Sequence, residues 1–325
     1  MAESPRNPRF DVVSLGEAML RLSVPIGQRL DNLRSLDVEI GGAEGNVCVA
    51  LARLGRRTGW VSRLPDHALG QYVVRGLRAD GVDVSAVRRA PGERMGVYFI
   101  EYATTPRTIQ VIYDRADSAA ARMTVDDVDW GYLLDTRVLH LTGITAALSD
   151  SCYEIVAQAV RRARAAGVTV SFDVNYRAKL WDAATAGARL RPLMAEADVL
   201  FCKSVDASLL FDCPGEPREL MMGLKALTHA QAVFCTFGEQ GAALLQGDEF
   251  TAQPALPVVI VDRIGSGDAF AAGALDGWLD GDARQGLRRG LALAAIALSQ
   301  HGDRVLTSRA ELNAVMAQQQ QDVAR

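Results

Sequence analysis

The stretch IGSGDAFAAG, residues 264–273, places an aspartate directly after two glycines and before a run of small residues. The apolar run PVVIVD precedes it, so the pattern predicts a strand, a glycine turn and a helix that begins near Asp268. The first turn of a helix has free main-chain N–H groups and the positive end of the helix dipole, and both attract anions. The sequence therefore predicts an anion site formed by Gly265, Ser266 and Gly267.

Asp268 itself has two interpretations. As a helix cap it would contribute about 0.5–2 kcal/mol to stability. As a general base beside the anion site, it would take a proton from an attacking hydroxyl while the N–H groups hold a transferring phosphoryl group. Two other nucleotide-binding motifs are excluded, because Phe270 stands where G-x-G-x-x-G requires its last glycine and no G-x-x-x-x-G-K-[ST] occurs.

The elements that must position these residues alternate along the chain. Apolar runs of strand length, with helical patterns at 150–166 and 185–195, are typical of a parallel sheet covered by helices. These runs are DVVSLG (11–16), RVLHLTG (137–143), GVTVSFD (167–173), ADVLFC (197–202), AVFCTFG (232–238) and PVVIVD (257–262). The segments 21–40 and 96–113 lack a helical period, and the second is typical of a hairpin. We expect these two segments to form a small β lid on an α/β core.

Composition excludes several classes of protein. The 325 residues are 49% hydrophobic and 23% charged, as expected for one globular domain with a core at about residues 10–310 and disordered tails at 1–9 and 318–325. The net charge of −4 argues against binding to nucleic acid. No apolar run reaches the about 20 residues that cross a bilayer, so we expect a cytoplasmic protein that does not bind membranes. The scattered cysteines predict buried thiols rather than a zinc site.

Two glycine-rich stretches resemble the paired motifs of the ribokinase-like (PfkB) carbohydrate kinases. DRIGSGDAFAAG (262–273) is similar to their D-T-x-G-A-G-D motif, and GGAEGNVCVALARLG (41–55) is similar to G-G-x-x-x-N followed by an alanine-rich helix. The likeness extends from Asp11 to roughly residue 310. The resemblance implies a doubly wound, mostly parallel sheet with a β lid, and transfer of the γ-phosphoryl group of ATP to a sugar hydroxyl. Asp268 would then be the catalytic base.

The nucleotide-binding candidates follow from the same resemblance. TFGEQGAAL (236–244) is similar to the family's T-x-G-x-x-G turn along the nucleotide, and a plain hairpin is the alternative. The candidates for contact with the nucleotide are Lys203, Thr236, Gly238, Gly241, Asp262, Gly265 and Gly267. The implied cofactors are ATP and Mg²⁺, and we expect the metal to arrive mainly with the ATP.

The sequence also departs from the family pattern on this side. Arg263 and Ile264 stand where threonine is usual, and the family's N-x-x-E element falls at Lys203-Ser-Val-Asp206. Lys203 is therefore either a phosphate ligand or a solvated lysine. Asp206 is a candidate magnesium ligand.

The candidates for sugar binding begin with Gly41, Gly42 and Asn46, for which a structural cap is the alternative role. Arg115 and Arg177 each follow a predicted strand, where open α/β sheets bind their ligands. Two guanidinium groups that converge on one pocket suit a carboxylate, which each can bind with paired hydrogen bonds, whereas a neutral sugar would leave the charges unmatched. A surface ion pair is the alternative for each arginine.

The segments that contain these arginines resemble the 2-keto-3-deoxygluconate kinase branch of the family, in which Y-x-R-x-x-S-A and D-x-N-x-R are typical. The opening GEAMLRL (16–22) fits the same branch. The resemblance implies that Arg115 and Arg177 hold the acid end of the substrate, far from Asp268, while Tyr98 and Tyr113 line the pocket. The distal 6-hydroxyl would then meet the γ-phosphate, and the product would be 2-keto-3-deoxy-6-phosphogluconate.

Three functions stay open from sequence alone. The first is the sugar-acid kinase, the second is a kinase for a neutral sugar such as fructose or ribose or for another keto-sugar acid, and the third is a non-catalytic sugar sensor. Apolar residues in the predicted lid favour a homo-oligomer, a dimer or larger, paired through that lid. Glu17 is left outside the predicted site, as a surface carboxylate or an ion-pair partner.

Overall fold

The computed structural model describes residues 7–103 and 106–323, with side chains as far as residue 318. The strands are β1 (Phe10–Leu15), β2 (Met19–Ser23), β3 (Asp37–Gly41), β4 (Thr58–Val61), β5 (Arg63–Pro65), β6 (Arg88–Ala90), β7 (Val97–Glu101), β8 (Gln110–Asp114), β9 (Thr136–Thr142), β10 (Thr169–Asp173), β11 (Val199–Lys203), β12 (Ala232–Thr236), β13 (Ala242–Gln246) and β14 (Glu249–Gln253). The helices are α1 (Ala43–Arg53), α2 (Ala68–Ala79), α3 (Trp130–Leu134), α4 (Gly143–Ala146), α5 (Asp150–Ala165), α6 (Ala183–Met194), α7 (Ser204–Phe211), α8 (Pro217–Ala226), α9 (Ser266–Leu279), α10 (Ala283–Leu298) and α11 (Arg309–Val323).

The large sheet has eight strands in the order β14-β13-β12-β11-β10-β9-β1-β4. Neighbours from β4 to β12 run parallel, and β13 and β14 add an antiparallel edge. Along β12, Val233 belongs to one apolar cluster and Phe234 to another, so each face of the sheet packs against its own set of helices. The predicted α/β class, a mainly parallel sheet flanked by helices, is confirmed.

One predicted strand is wrong. The run PVVIVD (257–262) is irregular, and it is held to the body by the N–H groups of Val261 and Asp262, which both donate to the carbonyl of Leu298 (2.8 and 3.3 Å). Val259 is 85% exposed. β-Branched residues favour a strand only where a neighbouring strand pairs with them, and among the described residues none pairs here.

A second sheet of four strands has the order β3-β2-β7-β8 and comes from the two segments without helical period. On one face, Glu39, Arg21, Tyr98 and Tyr113 lie opposite one another in register, and Arg21 is completely buried. We call this the inner face. The outer face carries the apolar row Val38, Leu22, Phe99 and Ile112, in which Val38 and Ile112 are 45% and 52% exposed.

The ends of the chain differ from the expected disordered tails. Residues 1–6 and 324–325 lie outside the described residues, so the prediction stands untested there. Arg9 donates its main-chain N–H to Asp135 (3.2 Å), and α11 continues to Val323. Leu312 anchors this helix in the core, and glutamine is a good helix former, so the helix extends through 318–323.

Two further expectations concern the thiols and the membrane. All five cysteines are buried and free, as predicted. Within residues 7–103 and 106–323, no helix has the length and apolarity that a bilayer span requires.

Candidate active site

A cleft of about 970 Å³ opens at the carboxyl ends of β1, β10, β11 and β12, next to the inner face of the small sheet. Ligand sites of open α/β sheets occupy this edge. The predicted site residues that line the cleft are Gly42, Asn46, Tyr98, Tyr113, Arg115, Arg177, Lys203, Thr236, Gly238, Gly241, Gly265, Ser266, Gly267 and Asp268. The structure therefore brings the nucleotide candidates and the sugar candidates into one cavity.

The glycine-rich loop ends at Gly265, the residue before α9, which has φ +85°. A Cβ at this position would lie 2.0 Å from the carbonyl oxygen of Asp303, so backbone conformation and space both require glycine. Among the described residues, no carbonyl accepts a hydrogen bond from the N–H groups of residues 265–268. These donors are free at the positive end of a 14-residue helix, as an anion site requires.

Asp268 lies in the first turn of α9 and faces the cleft. Its Oδ2 accepts a hydrogen bond from Nδ2 of Asn46 (2.7 Å). Burial raises the pKa of Asp268 above its ordinary value, while the Asn46 hydrogen bond and the charges of Arg177 and Lys203 lower it. Asn46 does not cap α1, whose residue before the first turn is Gly42. The amide instead orients the carboxylate that the sequence singles out as a base.

Two further carboxyl groups share the cleft. Burial raises the pKa of Glu44 to about 7, although its Oε1 accepts hydrogen bonds from the hydroxyls of Thr142 (2.7 Å) and Thr145 (2.5 Å). Burial and then the nearby charge of Asp268 raise the pKa of Asp173 to about 7. Near neutral pH, this part of the cleft therefore holds protons on some of its carboxyl groups.

The inner face of the small sheet forms an aromatic wall of the cleft. The rings of Tyr98 and Tyr113 stack with centroids 5.6 Å apart. The hydroxyl of Tyr98 donates to Oδ2 of Asp303 (2.6 Å), and Asp303 also lines the cleft. Stacked rings with one fixed hydroxyl suit the apolar face of a sugar.

The two predicted acid-binding arginines have different surroundings. Arg115 forms an ion pair with Glu17, a buried carboxylate, through its Nε (2.9 Å) and Nη2. Arg177 donates to the carbonyl oxygen of Tyr176 (3.0 Å) and, within the described part of the chain, forms no ion pair. The charge of Arg177 also lowers the pKa of Asp268, so it acts on the carboxylate that the sequence predicts as the base.

The nucleotide candidates from β11 and β12 line the opposite part of the cleft. Lys203 ends β11, and its charge lowers the pKa of Asp173 and Asp268, so it is a cleft lysine rather than a remote solvated one. Thr236 ends β12, and Gly238 and Gly241 flank the turn into β13. This turn joins β12 and β13 in a hairpin, which is the alternative that the sequence left open. It also forms part of the cavity wall.

Three predicted residues do not line the cleft. Gly41 lies behind it, where a Cβ would be 2.3 Å from the hydroxyl of Tyr98. Asp262 is 1% exposed, and its carboxylate binds Arg21 and Tyr102. Asp206 is buried in α7 with Oδ2 unpartnered. We expected Asp262 to contact the nucleotide and Asp206 to contact the metal, but neither residue lines the cleft.

No group of three or more His, Cys, Asp or Glu within the described residues is arranged to hold a metal ion. A magnesium ion bound through nucleotide phosphates needs no such cluster, because it keeps several waters.

Sequence reasoning missed five carboxylates that line the cleft, Glu17, Glu44, Asp173, Glu239 and Asp303. Glu17 and Asp173 directly follow or end a buried strand, and Glu44 lies among small apolar residues at a helix start. These are detectable signals, since a carboxylate in such a place needs a partner or a function. Nothing around Asp303 in the sequence indicates that it reaches the cleft.

Fold and site together define a carbohydrate kinase, with a parallel sheet, a glycine-rich helix start beside an aspartate, and a small sheet next to the cleft. The model of the pfkB family carbohydrate kinases matches residues 9–309, and the chain belongs to this family.

Relatives with assigned names span nearly the whole chain. A 2-dehydro-3-deoxygalactonokinase of Haloferax volcanii is 36% identical over 94% of this chain and 96% of its own length. A 2-dehydro-3-deoxygluconokinase of Thermoproteus tenax is 32% identical over 93% and 92%. The crystal structure of 2-dehydro-3-deoxygluconokinase from Thermotoga maritima is 31% identical with a TM-score of 0.91, covering 95% of this chain and 98% of that one.

Proposed function

We propose that the protein transfers the γ-phosphoryl group of ATP to the terminal hydroxyl of a keto-deoxy sugar acid. Our first candidate is 2-keto-3-deoxygluconate, which would give 2-keto-3-deoxy-6-phosphogluconate. The observation that carries the proposal is the placement of Arg177 in the same cleft as Asp268 and the free N–H groups of the loop. Arg177 has no ion-pair partner among the described residues. The relatives named for keto-deoxy sugar acids support the same substrate class.

The chemical step needs little from the protein beyond placement and charge. Asp268 takes the proton of the sugar hydroxyl, the new O–P bond forms, and the bond from the γ-phosphorus to the ADP oxygen breaks. The N–H groups of residues 265–267 stabilise the charge on the phosphoryl oxygens. A magnesium ion that accompanies ATP would neutralise phosphate charge. We assign the same role to Lys203, a cation of the cleft.

Recognition of the acid end falls mainly to Arg177. Arg115 is already neutralised by Glu17, so it offers the donors of its remaining Nη1 and a fixed orientation rather than a free charge. Arg177 forms no ion pair with any described residue, so a carboxylate can bind its guanidinium with two parallel hydrogen bonds.

The small sheet serves as a lid in this proposal. Its aromatic inner face lines the sugar side of the cleft. Exclusion of water from the site would prevent hydrolysis of ATP in place of transfer.

A coupled assay of ATP consumption tests the proposal with 2-keto-3-deoxygluconate, its C4 epimer 2-keto-3-deoxygalactonate, aldonic acids, fructose and ribose. The epimer is the second candidate because the relative at 36% identity carries the galactonate name. We expect turnover with a keto-deoxy acid at a kcat/KM at least 100-fold above that for fructose or ribose. Faster turnover of a neutral sugar would reject the acid, and binding without turnover would favour a sensor.

The Arg177→Ala variant tests the acid contact. We expect KM for the sugar acid to rise at least 30-fold, because the substrate carboxylate loses the guanidinium that binds it. KM for ATP should change less than threefold. Arg122→Ala, which removes an arginine that is 56% exposed and outside the cleft, is the matched control. An unchanged KM in Arg177→Ala would remove this arginine from substrate binding.

A further inference from the structure

Arg21 is a completely buried arginine at the centre of the small sheet. Its Nη1 donates to Oδ1 of Asp303 (2.6 Å), and its Nη2 donates to Oδ2 of Asp262. The guanidinium carbon also lies 5.5 Å from the ring centre of Tyr102. Burial of an arginine is costly unless carboxylates compensate it, so these contacts fix its position.

Two of the three carboxylates that pair with Arg21 flank the glycine-rich loop, and the third, Glu39, lies 3.6 Å from the arginine Nε. Asp262 precedes the loop, and its Oδ1 accepts a hydrogen bond from the N–H of Ile264 (3.0 Å). The carbonyl oxygen of Asp303 occupies the space where a Cβ on Gly265 would stand, 2.0 Å away. The end of the loop that presents the free N–H groups therefore rests on the residues that Arg21 binds.

The same two carboxylates also bind tyrosines from the small sheet and its edge. The hydroxyl of Tyr98 donates to Asp303 (2.6 Å), and that of Tyr102 donates to Asp262 (2.8 Å). Further along the loop, by contrast, a Cβ on Gly267 would meet no atom within 4 Å. The position of these N–H groups thus depends on a cluster that the small sheet completes.

We propose that Arg21 is a positioning residue for phosphoryl transfer. Through Asp262 and Asp303, it keeps the N–H groups of residues 265–267 in their anion-binding arrangement, and it makes that arrangement depend on the docked position of the small sheet. A sugar that contacts Tyr98 then stabilises the same cluster that orders the phosphate loop. The inference rests on the proposed function only in assigning phosphoryl transfer to this loop.

The decisive experiment compares Arg21→Ala and Arg21→Lys with a matched control, Arg309→Met. Arg309 binds the buried Asp276 on the same helix α9, away from the loop, so its loss removes an ion pair from the helix while Arg56 and Arg289 still bind Asp276. Hydrogen–deuterium exchange around the loop is followed without ligands at the N–H groups of Asp262, Ile264 and Ala269, which have hydrogen-bond acceptors. Steady-state kinetics are measured with ATP and the sugar that the substrate panel identifies. All assays run at a temperature at which circular dichroism shows each variant folded.

For Arg21→Ala we expect exchange of the N–H groups of Asp262, Ile264 and Ala269 to be at least tenfold faster than in the wild type. We also expect kcat to be at least 100-fold lower, with KM for the sugar changed less than threefold. Added guanidinium chloride at millimolar concentration should restore kcat at least tenfold, because it refills the vacated site between the two carboxylates. Arg309→Met should unfold at a lower temperature, with loop exchange and kcat unchanged.

Arg21→Lys keeps a positive charge, and it decides the question if Arg21→Ala does not fold. We expect about tenfold lower kcat and faster loop exchange, because one ammonium group cannot bridge both carboxylates in the same geometry. Wild-type loop exchange in a folded Arg21 variant would overturn the inference, as would equal acceleration in Arg309→Met. If no sugar acid is phosphorylated, the proposed function fails, yet the exchange comparison still decides the role of Arg21.

Discussion

At the scale of single residues, the protonation of the cleft depends on carboxyl groups that differ in burial and in their partners. Asp268 has an amide donor and two nearby cations, whereas the side-chain donors to Glu44 are the hydroxyls of Thr142 and Thr145. The amide and the cations favour the ionised form of Asp268 against the effect of burial, and a base must be ionised to accept a proton. Glu44, with a pKa of about 7, keeps its proton up to that range.

Glu44 leads to a prediction about stability and pH. Its pKa is about 7 in the folded protein and about 4.3 in an unfolded chain, so the folded state binds more protons between these values, and its contribution to stability declines as pH rises through them. In Glu44→Gln this decline is absent. From pH 5 to pH 8, we expect the variant to gain roughly 1–3 kcal/mol in free energy of unfolding relative to the wild type.

Urea unfolding at the two pH values measures this difference. Glu154→Gln, a change at an exposed carboxylate, is the control and should follow the wild type. The same pH dependence in Glu44→Gln and wild type would contradict the prediction.

The arginines and their partners show how much of the site can be predicted from the sequence. Local position, just past a strand end, placed Arg115 and Arg177 in the cleft correctly. Local position did not show that Glu17 neutralises Arg115, because the partners are 98 residues apart and meet only in the folded chain. For the same reason, local position did not show that Asp262 binds Arg21, which is 241 residues away.

At the scale of elements, the strands with continuous apolar runs and the hairpin of β7 and β8 were predictable, whereas the short and edge strands of the large sheet were not. β1, β9, β10, β11 and β12 follow from continuous apolar runs, because burial on both faces demands them. The short β4 and the edge strands β13 and β14 lack so clear a pattern. The run PVVIVD shows the opposite error, because it was predicted as a strand and is irregular. Among the described residues no strand pairs with it, and apolar residues of the run line the cleft.

Close packing of α9 on α10 supplies a prediction for Gly277. A Cβ there would lie 2.2 Å from the main-chain nitrogen of Gly286, so Gly277→Ala forces two helices apart despite the better helix propensity of alanine. We expect a loss of about 1–3 kcal/mol in the free energy of unfolding. Gly131→Ala in α3, where the nearest atom is 3.4 Å away, should change it by less than about 1 kcal/mol. Equal stability of the two variants in urea would refute this packing.

At the scale of the whole molecule, the outer face of the small sheet supports the predicted self-association. Val38 and Ile112 are exposed at the two edges of an apolar row that Leu22 and Phe99 complete. We expect light scattering after size exclusion to give a dimer or larger at micromolar concentration, and the double variant Val38→Glu/Ile112→Glu to be a monomer, because charge on this row opposes its burial. Leu209→Glu, at another exposed apolar residue, should leave the assembly intact. A monomeric wild type would refute the association.

The catalytic assignment of Asp268 is tested most directly by kcat of Asp268→Asn, measured together with the affinity for a non-hydrolysable ATP analogue. We expect kcat to fall by about 10²–10⁴-fold, because the amide cannot accept the hydroxyl proton, while the affinity stays within about threefold. Asp248→Asn, a change at an exposed aspartate outside the cleft, should keep kcat within about threefold. Retention of more than about a tenth of kcat in Asp268→Asn would contradict its role as the base.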